Sequence, residues 1–185
     1  ARALVGGRRV IDRVVEAVRP LAGRVVLVAA AEKTGLAVPD GVVVVPDAYP
    51  GSGPLGGICT GLQQAPGGPV VVVGCDLPFL SGELLRFLLS LAGGFEAVVP
   101  RLAAGRWQTL HAVYARTCLG EMERQLAAGR LSVWRVLEKL HVRRVEAEEC
   151  RAIDPDLLSF FNLNTPEDLA RANQVATGRA LPEGP

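Results

Sequence analysis

An uninterrupted run of four valines, Val70–Val73, constrains the fold of this chain more than any other stretch. The run ends at Gly74, and Pro78 prevents the same segment from continuing. A short β-branched run without polar alternation is typical of a central parallel strand that helices cover on both faces. In open α/β sheets, ligands bind beyond the carboxyl ends of such strands. Because Asp76 follows this run, we predict that its carboxylate holds a metal ion on a nucleotide phosphate.

Strand and helix patterns alternate along the first hundred residues. Apolar residues recur at helical spacing in three segments, and three further short apolar runs indicate strands. The helical segments are 10–18, 55–64 and 84–91, and the strand-like runs are 24–28, 42–45 and 95–100. Ser81 is predicted to be the N-cap of the third helical segment. This alternation predicts parallel β-α-β units with right-handed crossovers. The stretch 107–114 has a strand pattern without a preceding helix, which indicates an antiparallel strand. The expected fold is therefore a three-layer α/β/α, Rossmann-like, mostly parallel sheet with an antiparallel strand.

The C-terminal part continues the pattern. Its helical segments are 117–128 and 132–140, and its strand-like runs are 142–145 and 160–164. Arg143 and Arg144 are expected to lie on a solvated edge of the sheet. A final helix begins with Thr165 as N-cap, Pro166 at the first helical position and Asp168 completing a capping box. We expect residues 1–176 to form a single domain and residues 177–185 to form a frayed tail.

Composition excludes several classes of function. A net charge of +1 argues against a broad electrostatic grip on nucleic acid. No apolar run approaches the roughly 20 residues that cross a bilayer. The four cysteines, including Cys75, are widely spaced, which favours free thiols in a reducing cytoplasm over disulfides or zinc ligands. For Cys75 we expect a small residue that fills space at the strand end, with a redox or nucleophilic role as the alternative.

The two histidines do not suggest a base or a metal site. His111 lies in an apolar strand pattern, so we expect it to be half-buried and hydrogen-bonded. His141 flanks another strand-like run and is expected at the surface. No Glu or Cys accompanies either residue at the spacing of a zinc site.

Polar residues follow the predicted strands at the point where each one ends. Asp47, Asp76 and the pair Asn162 and Asn164 are the examples. Since the carboxyl ends of parallel strands meet at one edge, Asp47 and Asp76 are predicted to face a common crevice. Mg²⁺ prefers carboxylate, water and phosphate oxygens, so one or two carboxylates suffice. The alternative is that these aspartates only form turns or cap helices.

A loop rich in glycine and proline follows Asp47 and opens the second helical segment. Its residues Gly53, Pro54, Leu55, Gly56 and Gly57 would place backbone N–H groups at a helix N-terminus, which suits an anion or the edge of a base. The alternative is an ordinary surface turn, since glycine is common in turns.

Three motifs in this order resemble the molybdenum cofactor guanylyltransferases, the MobA family. They are Gly53–Leu62 (GPLGGICTGL) after Pro46 and Asp47, Gly74–Leu80 (GCDLPFL), and Phe161–Ala170 (FNLNTPEDLA). The stretch Gly105–Leu119 is similar to a fourth part of the family pattern. The resemblance covers residues 7–172. It implies a Rossmann-like nucleotidyltransferase of the nucleotide-diphospho-sugar transferase type.

The resemblance also implies an activity and a set of site residues. GMP would pass from GTP to molybdenum-loaded molybdopterin, with release of pyrophosphate. Asp76 would be the catalytic Mg²⁺ ligand, Asp47 and Gly53–Gly57 would line the nucleotide site, and Asn162 and Asn164 would face the acceptor. The implied partners are GTP, molybdenum-molybdopterin, and molybdoenzymes or other proteins of cofactor biosynthesis.

Two departures from the family pattern keep alternatives open. Family members begin with a strand and a phosphate-binding loop, and no such segment precedes Arg8, so we expect an incomplete N-terminus. After the strand-like run 24–28, family members usually have an asparagine, whereas this chain has Ala29, Ala30 and Ala31. A cytidylyl- or sugar-phosphate nucleotidyltransferase of the same fold is one alternative. A non-catalytic protein that binds or delivers the cofactor is the other.

Overall fold

A computed structural model describes residues 3–31, 37–102 and 105–178 of the chain. The strands, numbered β1 to β8, are Leu4–Val5, Arg8–Arg9, Val25–Ala29, Val42–Pro46, Pro69–Val73, Ala97–Arg101, His111–Ala115 and Val142–Glu146. The helices, numbered α1 to α7, are Val10–Val18, Gly53–Gln63, Gly82–Ser90, Leu119–Ala127, Val133–Leu137, Ala147–Arg151 and Pro166–Ala176. Each helix in these ranges is too short or too polar to cross a membrane.

The strands form a mixed sheet with one reversed strand. β5 to β8 lie in the spatial order β5-β7-β6-β8, with β6 and β8 parallel. β7 runs antiparallel to both of its neighbours. β3 and β4 form a separate parallel pair, and β1 and β2 a small hairpin. This architecture confirms the predicted α/β fold and the antiparallel strand, which the sequence placed at 107–114.

The valine run forms β5 and is covered on both faces, as predicted. Val70 and Val72 pack on the side of α2, whereas Val71 and Val73 pack on the side of α1. The expected parallel pairing is wrong for the one partner that β5 has among the described residues, because that partner is the antiparallel β7. β7 returns from the carboxyl end of β6 and therefore runs against both neighbours.

Helices cover the sheet on two sides and create three apolar clusters. The first cluster joins α2, α4 and α5 to one face of β5, β6 and β7. The second joins α1 and α7 to the other face near β3 and β5. The third joins α3 and α6 to β6, β7 and β8 on that same face. The sheet is thus the middle of three layers, as the sequence predicts.

The prediction of a strand at 160–164 is wrong. Leu158–Phe160 form a short 3-10 turn, entered through Leu157 in the left-handed region with a φ of 53°. The following residues are extended but belong to no strand. One backbone hydrogen bond among the described residues, from the Leu163 N–H to the Asp76 carbonyl at 3.0 Å, joins this segment to the turn after β5. Since this segment lies beyond the end of β5, none of the strands that the structure describes runs alongside it.

Two predicted helix starts are confirmed in detail. The Ser81 hydroxyl accepts a hydrogen bond from the Leu84 N–H and caps α3. Thr165 and Asp168 form the predicted reciprocal capping box of α7. These caps satisfy N–H groups that a helix cannot bond internally. Most of the predicted frayed tail, residues 179–185, lies outside the described residues.

Candidate active site

Asp76 lies three residues beyond the end of β5, at the carboxyl edge of the sheet. Its side chain is partly exposed. Two hydrogen bonds fix the backbone around it. The Gly74 N–H donates to the Leu110 carbonyl at 2.8 Å, and the Asp76 carbonyl accepts from the Leu163 N–H at 3.0 Å. The carboxylate is therefore held at a junction of three chain segments, from β5, from the start of β7 and from the segment before α7.

Gly74 leaves the space that the Asp76 carboxylate occupies. A Cβ placed on Gly74 would lie 2.5 Å from Asp76 Oδ1, a separation that non-bonded carbon and oxygen atoms do not adopt. The glycine itself is buried. Any side chain at this position would displace the carboxylate, so the Gly-Cys-Asp sequence orients Asp76 as well as ending the strand.

Asn162 and Asn164 flank Leu163, the residue whose N–H bonds the Asp76 carbonyl at 3.0 Å. In the extended segment before α7, the side chains of Phe161 and Leu163 pack inward while both asparagine side chains are exposed. Asp168 Oδ2 accepts hydrogen bonds from the N–H groups of Asn164 and Thr165 at 3.1 and 3.0 Å. These bonds hold the pKa of Asp168 below its usual value. The helix cap thus fixes the direction of the asparagine segment.

Asp47 ends β4 and organises the loop that follows. Its N–H donates to the Ala29 carbonyl at 2.8 Å, which joins the ends of β3 and β4. Oδ1 accepts from the Tyr49 N–H at 2.9 Å and from the buried Thr60 hydroxyl at 3.0 Å. Thr60, a residue that the sequence analysis did not single out, also accepts from the Ala48 N–H. One carboxylate oxygen of Asp47 is thus bound to its own loop, and no described hydrogen bond joins Asp47 to Asp76.

Helix α2 begins at the exposed Gly53, and its N-cap Ser52 makes no side-chain capping hydrogen bond. The N–H of Gly53 is one of the groups that a helix does not bond internally, whereas Pro54 has no N–H. Gly53 has a φ of +59°, which a glycine adopts without strain. Gly56 is buried, and a Cβ there would lie 2.8 Å from the Tyr49 carbonyl oxygen. Leu55 is fully buried and belongs to the first apolar cluster.

The histidines and cysteines correct two expectations. His111 is 1% exposed rather than half-buried, and neither ring nitrogen has a hydrogen-bond partner among the described groups. Its ring packs against that of Phe160, with centroids 4.5 Å apart. Cys75 does not fill space, because the turn after β5 points its side chain into solvent. All four cysteines are free thiols, as expected.

Metal binding at this edge would depend on few protein groups. Within the described residues, no three His, Cys, Asp or Glu side chains come together as a metal site. Asp76 therefore offers one carboxylate, and a cation there would take its remaining oxygen ligands from phosphates and water. A hard cation with several water or phosphate ligands is the kind that such a sparse site suits.

The fold and the site define an α/β domain of the kind that binds a ligand at the carboxyl edge of its sheet, with Asp76 beyond the end of β5. The sequence model of the MobA-like NTP transferase domain matches residues 1–145, and the chain belongs to this family of nucleotidyltransferases. A relative named probable molybdenum cofactor guanylyltransferase, from Pelotomaculum thermopropionicum, is 35% identical over 179 residues, covering 95% of this chain and 86% of the relative.

Solved structures agree with this assignment. Molybdopterin-guanine dinucleotide biosynthesis protein A from Archaeoglobus fulgidus superposes with a TM-score of 0.81 at 29% identity, covering 96% of this chain and 90% of that one. The 2-C-methyl-D-erythritol 4-phosphate cytidylyltransferase from Thermus thermophilus gives a TM-score of 0.70 at 20% identity, covering 94% and 91%. The second likeness concerns the fold alone.

Proposed function

We propose that this protein transfers GMP from GTP to the terminal phosphate of molybdenum-loaded molybdopterin. The products are the guanine dinucleotide form of the cofactor and pyrophosphate. The observation that carries the proposal is the 35% identity with a relative named as a guanylyltransferase of the molybdenum cofactor. A cytoplasmic location belongs to the same proposal and is supported by four free thiols.

The chemistry assigned to Asp76 follows from its position. In-line displacement at the α-phosphorus forms a bond to an acceptor phosphate oxygen and breaks the bond to pyrophosphate. Such a reaction depends on positioning and on neutralising charge, rather than on a protein nucleophile. Asp76 would hold Mg²⁺, which supplies charge neutralisation on the phosphates when bound. The partly exposed carboxylate and the space left by Gly74 support this role.

The nucleotide is proposed to lie on the side of Asp47 and the start of α2. In the segment Gly53–Gly57, backbone N–H groups such as that of the exposed Gly53 would contact phosphate or base, whereas Pro54 has no N–H to donate. Asp47 would keep this segment in place through Thr60 and Tyr49. The acceptor is proposed to lie on the side of Asn162 and Asn164, whose exposed amides can bond phosphate or ring atoms. The two substrates would then approach Asp76 from opposite sides.

A further strand and a phosphate-binding loop are also part of the proposal. Among the described residues, β3 pairs with β4 alone and β5 with β7 alone. The same two helices contact both strands, since Val25 and Val71 belong to the α1 cluster and α2 packs on β3 and β5. A right-handed crossover through α1 into β3 requires a parallel strand next to β3. A strand between β3 and β5 would satisfy both open edges.

Hydrogen exchange tests this strand. A protein extended by the residues that precede Ala1 in its gene should protect the backbone amides of Val25–Ala29 and Val70–Val73 more strongly than the present chain does. The amides of β6, which already has strands on both sides, are the internal control. Equal exchange of the β3 and β5 amides in both proteins would contradict the added strand.

The activity is tested by offering the full-length protein Mg²⁺ and molybdenum-loaded molybdopterin with either GTP or CTP. We expect the guanine dinucleotide and pyrophosphate in equal amounts. Formation of the cytosine product alone would favour the cytidylyltransferase alternative, which the alanines at 29–31 suggest. Binding of the pterin without product from either nucleotide would overturn the proposed enzyme in favour of a delivery protein.

A further inference from the structure

Two tryptophans from distant parts of the chain stack at the surface. Trp107 follows the turn after β6 and bridges to Arg101, and Trp134 lies in α5. Their ring centroids are 5.0 Å apart with planes inclined by 36°. Trp134 is 41% exposed, a large area for a side chain that is usually buried or partnered. The pair leaves an aromatic surface open to a ligand.

Two guanidinium groups lie against the same ring. The Cζ atoms of Arg101 and Arg144 are 5.9 and 5.8 Å from the centroid of Trp107. Across residues 3–31, 37–102 and 105–178, neither arginine forms an ion pair with a carboxylate. Glu146, which is opposite Arg101 in the register of β6 and β8, instead caps α6. The two positive charges beside the aromatic pair therefore have no ion-pair partner among the residues that the structure describes.

This cluster lies on the same edge of the sheet as Asp76. Arg101 is the last residue of β6, and His111 begins β7 opposite Val73, the last residue of β5. The strands β5 and β6 lie on either side of β7, so their ends are about 10 Å apart. The Gln108 N–H bonds the Pro100 carbonyl at 2.9 Å, which holds the connecting turn on this edge. A molecule of modest size can therefore reach both Asp76 and the cluster.

We propose that Trp107, Trp134, Arg101 and Arg144 bind the acceptor, a planar heterocycle that carries anionic groups. The proposal rests on the proposed function and assigns a second part of the acceptor site beyond the asparagines. Aromatic rings stack on planar heterocycles. A guanidinium group can donate two parallel hydrogen bonds to one oxyanion. The cluster lies across β7 from the loop assigned to the nucleotide, so the two substrates do not compete for it.

Fluorescence provides a direct measurement, because the chain has two tryptophans and both belong to this cluster. Pterin-6-carboxylate is the probe, since it combines a pterin ring with an anionic group, and 6-methylpterin is its uncharged counterpart. Titration of the protein should quench the tryptophan emission with saturation. Arg101→Gln should raise the Kd for pterin-6-carboxylate about tenfold and leave that for 6-methylpterin nearly unchanged.

Trp134→Leu tests stacking on an exposed residue whose replacement does not disturb the core. It should raise the Kd of both pterins about tenfold. The matched controls are Arg86→Gln, an exposed arginine on α3, and Phe95→Leu, a ring at the opposite edge of the sheet. Unchanged pterin affinity in both cluster variants, or equal losses in the controls, would overturn the proposal. Tryptophan emission that responds to an added acidic protein but to neither pterin would also overturn the proposal.

Kinetics separate this inference from the proposed function. If the protein transfers GMP, Arg101→Gln should raise the KM for the acceptor and leave the KM for GTP unchanged. If Arg101→Gln transfers GMP with an unaltered KM for the acceptor, the role of the cluster in acceptor binding is contradicted and the proposed function stands. If the protein binds the pterin normally but transfers no GMP, the proposed function is contradicted and the role of the cluster in pterin binding stands.

Discussion

Acidification should destabilise this protein through a single buried histidine. His111 is 1% exposed and lies against the Phe160 ring, with centroids 4.5 Å apart. Burial lowers the pKa of His111 from 6.5 to about 4, although the backbone of Ser159 and the charge of Asp154 act in the opposite direction. The unfolded chain therefore binds a proton between these two values and the folded protein does not.

The direction and size of the effect follow from proton linkage. The stabilisation is fully present above pH 6.5 and is lost as the pH falls towards 4. Over the whole interval His111 contributes about 3 kcal/mol, and between pH 7 and pH 5 the loss is about 2 kcal/mol. Because His111 pairs with Val73 at the end of β5, this loss weakens the strand that carries Asp76.

Urea unfolding at pH 7 and pH 5 measures this loss directly. The variant His111→Leu has a similar volume and no titrating group, so the acid-induced loss should be about 2 kcal/mol smaller than in the wild type. His141→Gln removes the exposed histidine and should behave as the wild type does. Equal pH dependence in the wild type and His111→Leu would refute a neutral, buried His111.

Two glycines give further predictions. Gly74→Ala should push the Asp76 carboxylate aside, because the added Cβ would lie 2.5 Å from Oδ1. The substitution should lower kcat/KM by about 100-fold, and nucleotide affinity is a second measurement. Gly120→Ala, a helical glycine with open space around it, is its control, and equal activity of the two variants would contradict the steric reasoning. Gly56→Ala should lower the free energy of unfolding by about 1–3 kcal/mol, because its Cβ meets the Tyr49 carbonyl at 2.8 Å. The Cβ of Gly57→Ala meets no atom within 4 Å, so this variant should be neutral or stabilising in thermal unfolding. A larger loss of unfolding free energy for Gly57→Ala than for Gly56→Ala would be inconsistent with this packing.

Local patterns predicted the elements that depend on neighbouring residues. The Ser81 cap and the Thr165–Asp168 capping box follow from residues three positions apart, and both are present. The valine run predicted a strand covered on both faces, because four apolar side chains in sequence need apolar neighbours above and below the sheet. These features require no knowledge of distant parts of the chain.

Features that depend on distant contacts were less accessible. The segment 160–164 has a strand pattern, but no strand lies alongside it and one hydrogen bond to Asp76 replaces the ladder. The burial of His111 depends on Phe160, which is remote in sequence. The tryptophan and arginine cluster joins β6, β8 and α5, and the sequence suggested only that Arg143 and Arg144 form a solvated edge. No local pattern reveals that Arg101 and Arg144 meet one ring.

The central claim is that Asp76 serves catalysis rather than the fold, and one comparison tests it most directly. Transfer of GMP to molybdenum-loaded molybdopterin is measured for Asp76→Asn and for Asp156→Asn, an exposed aspartate without described contacts. We predict that Asp76→Asn lowers the rate by about 100-fold or more while thermal unfolding changes by less than about 0.5 kcal/mol. Asp156→Asn should retain full activity. Near-normal turnover of Asp76→Asn would contradict the account.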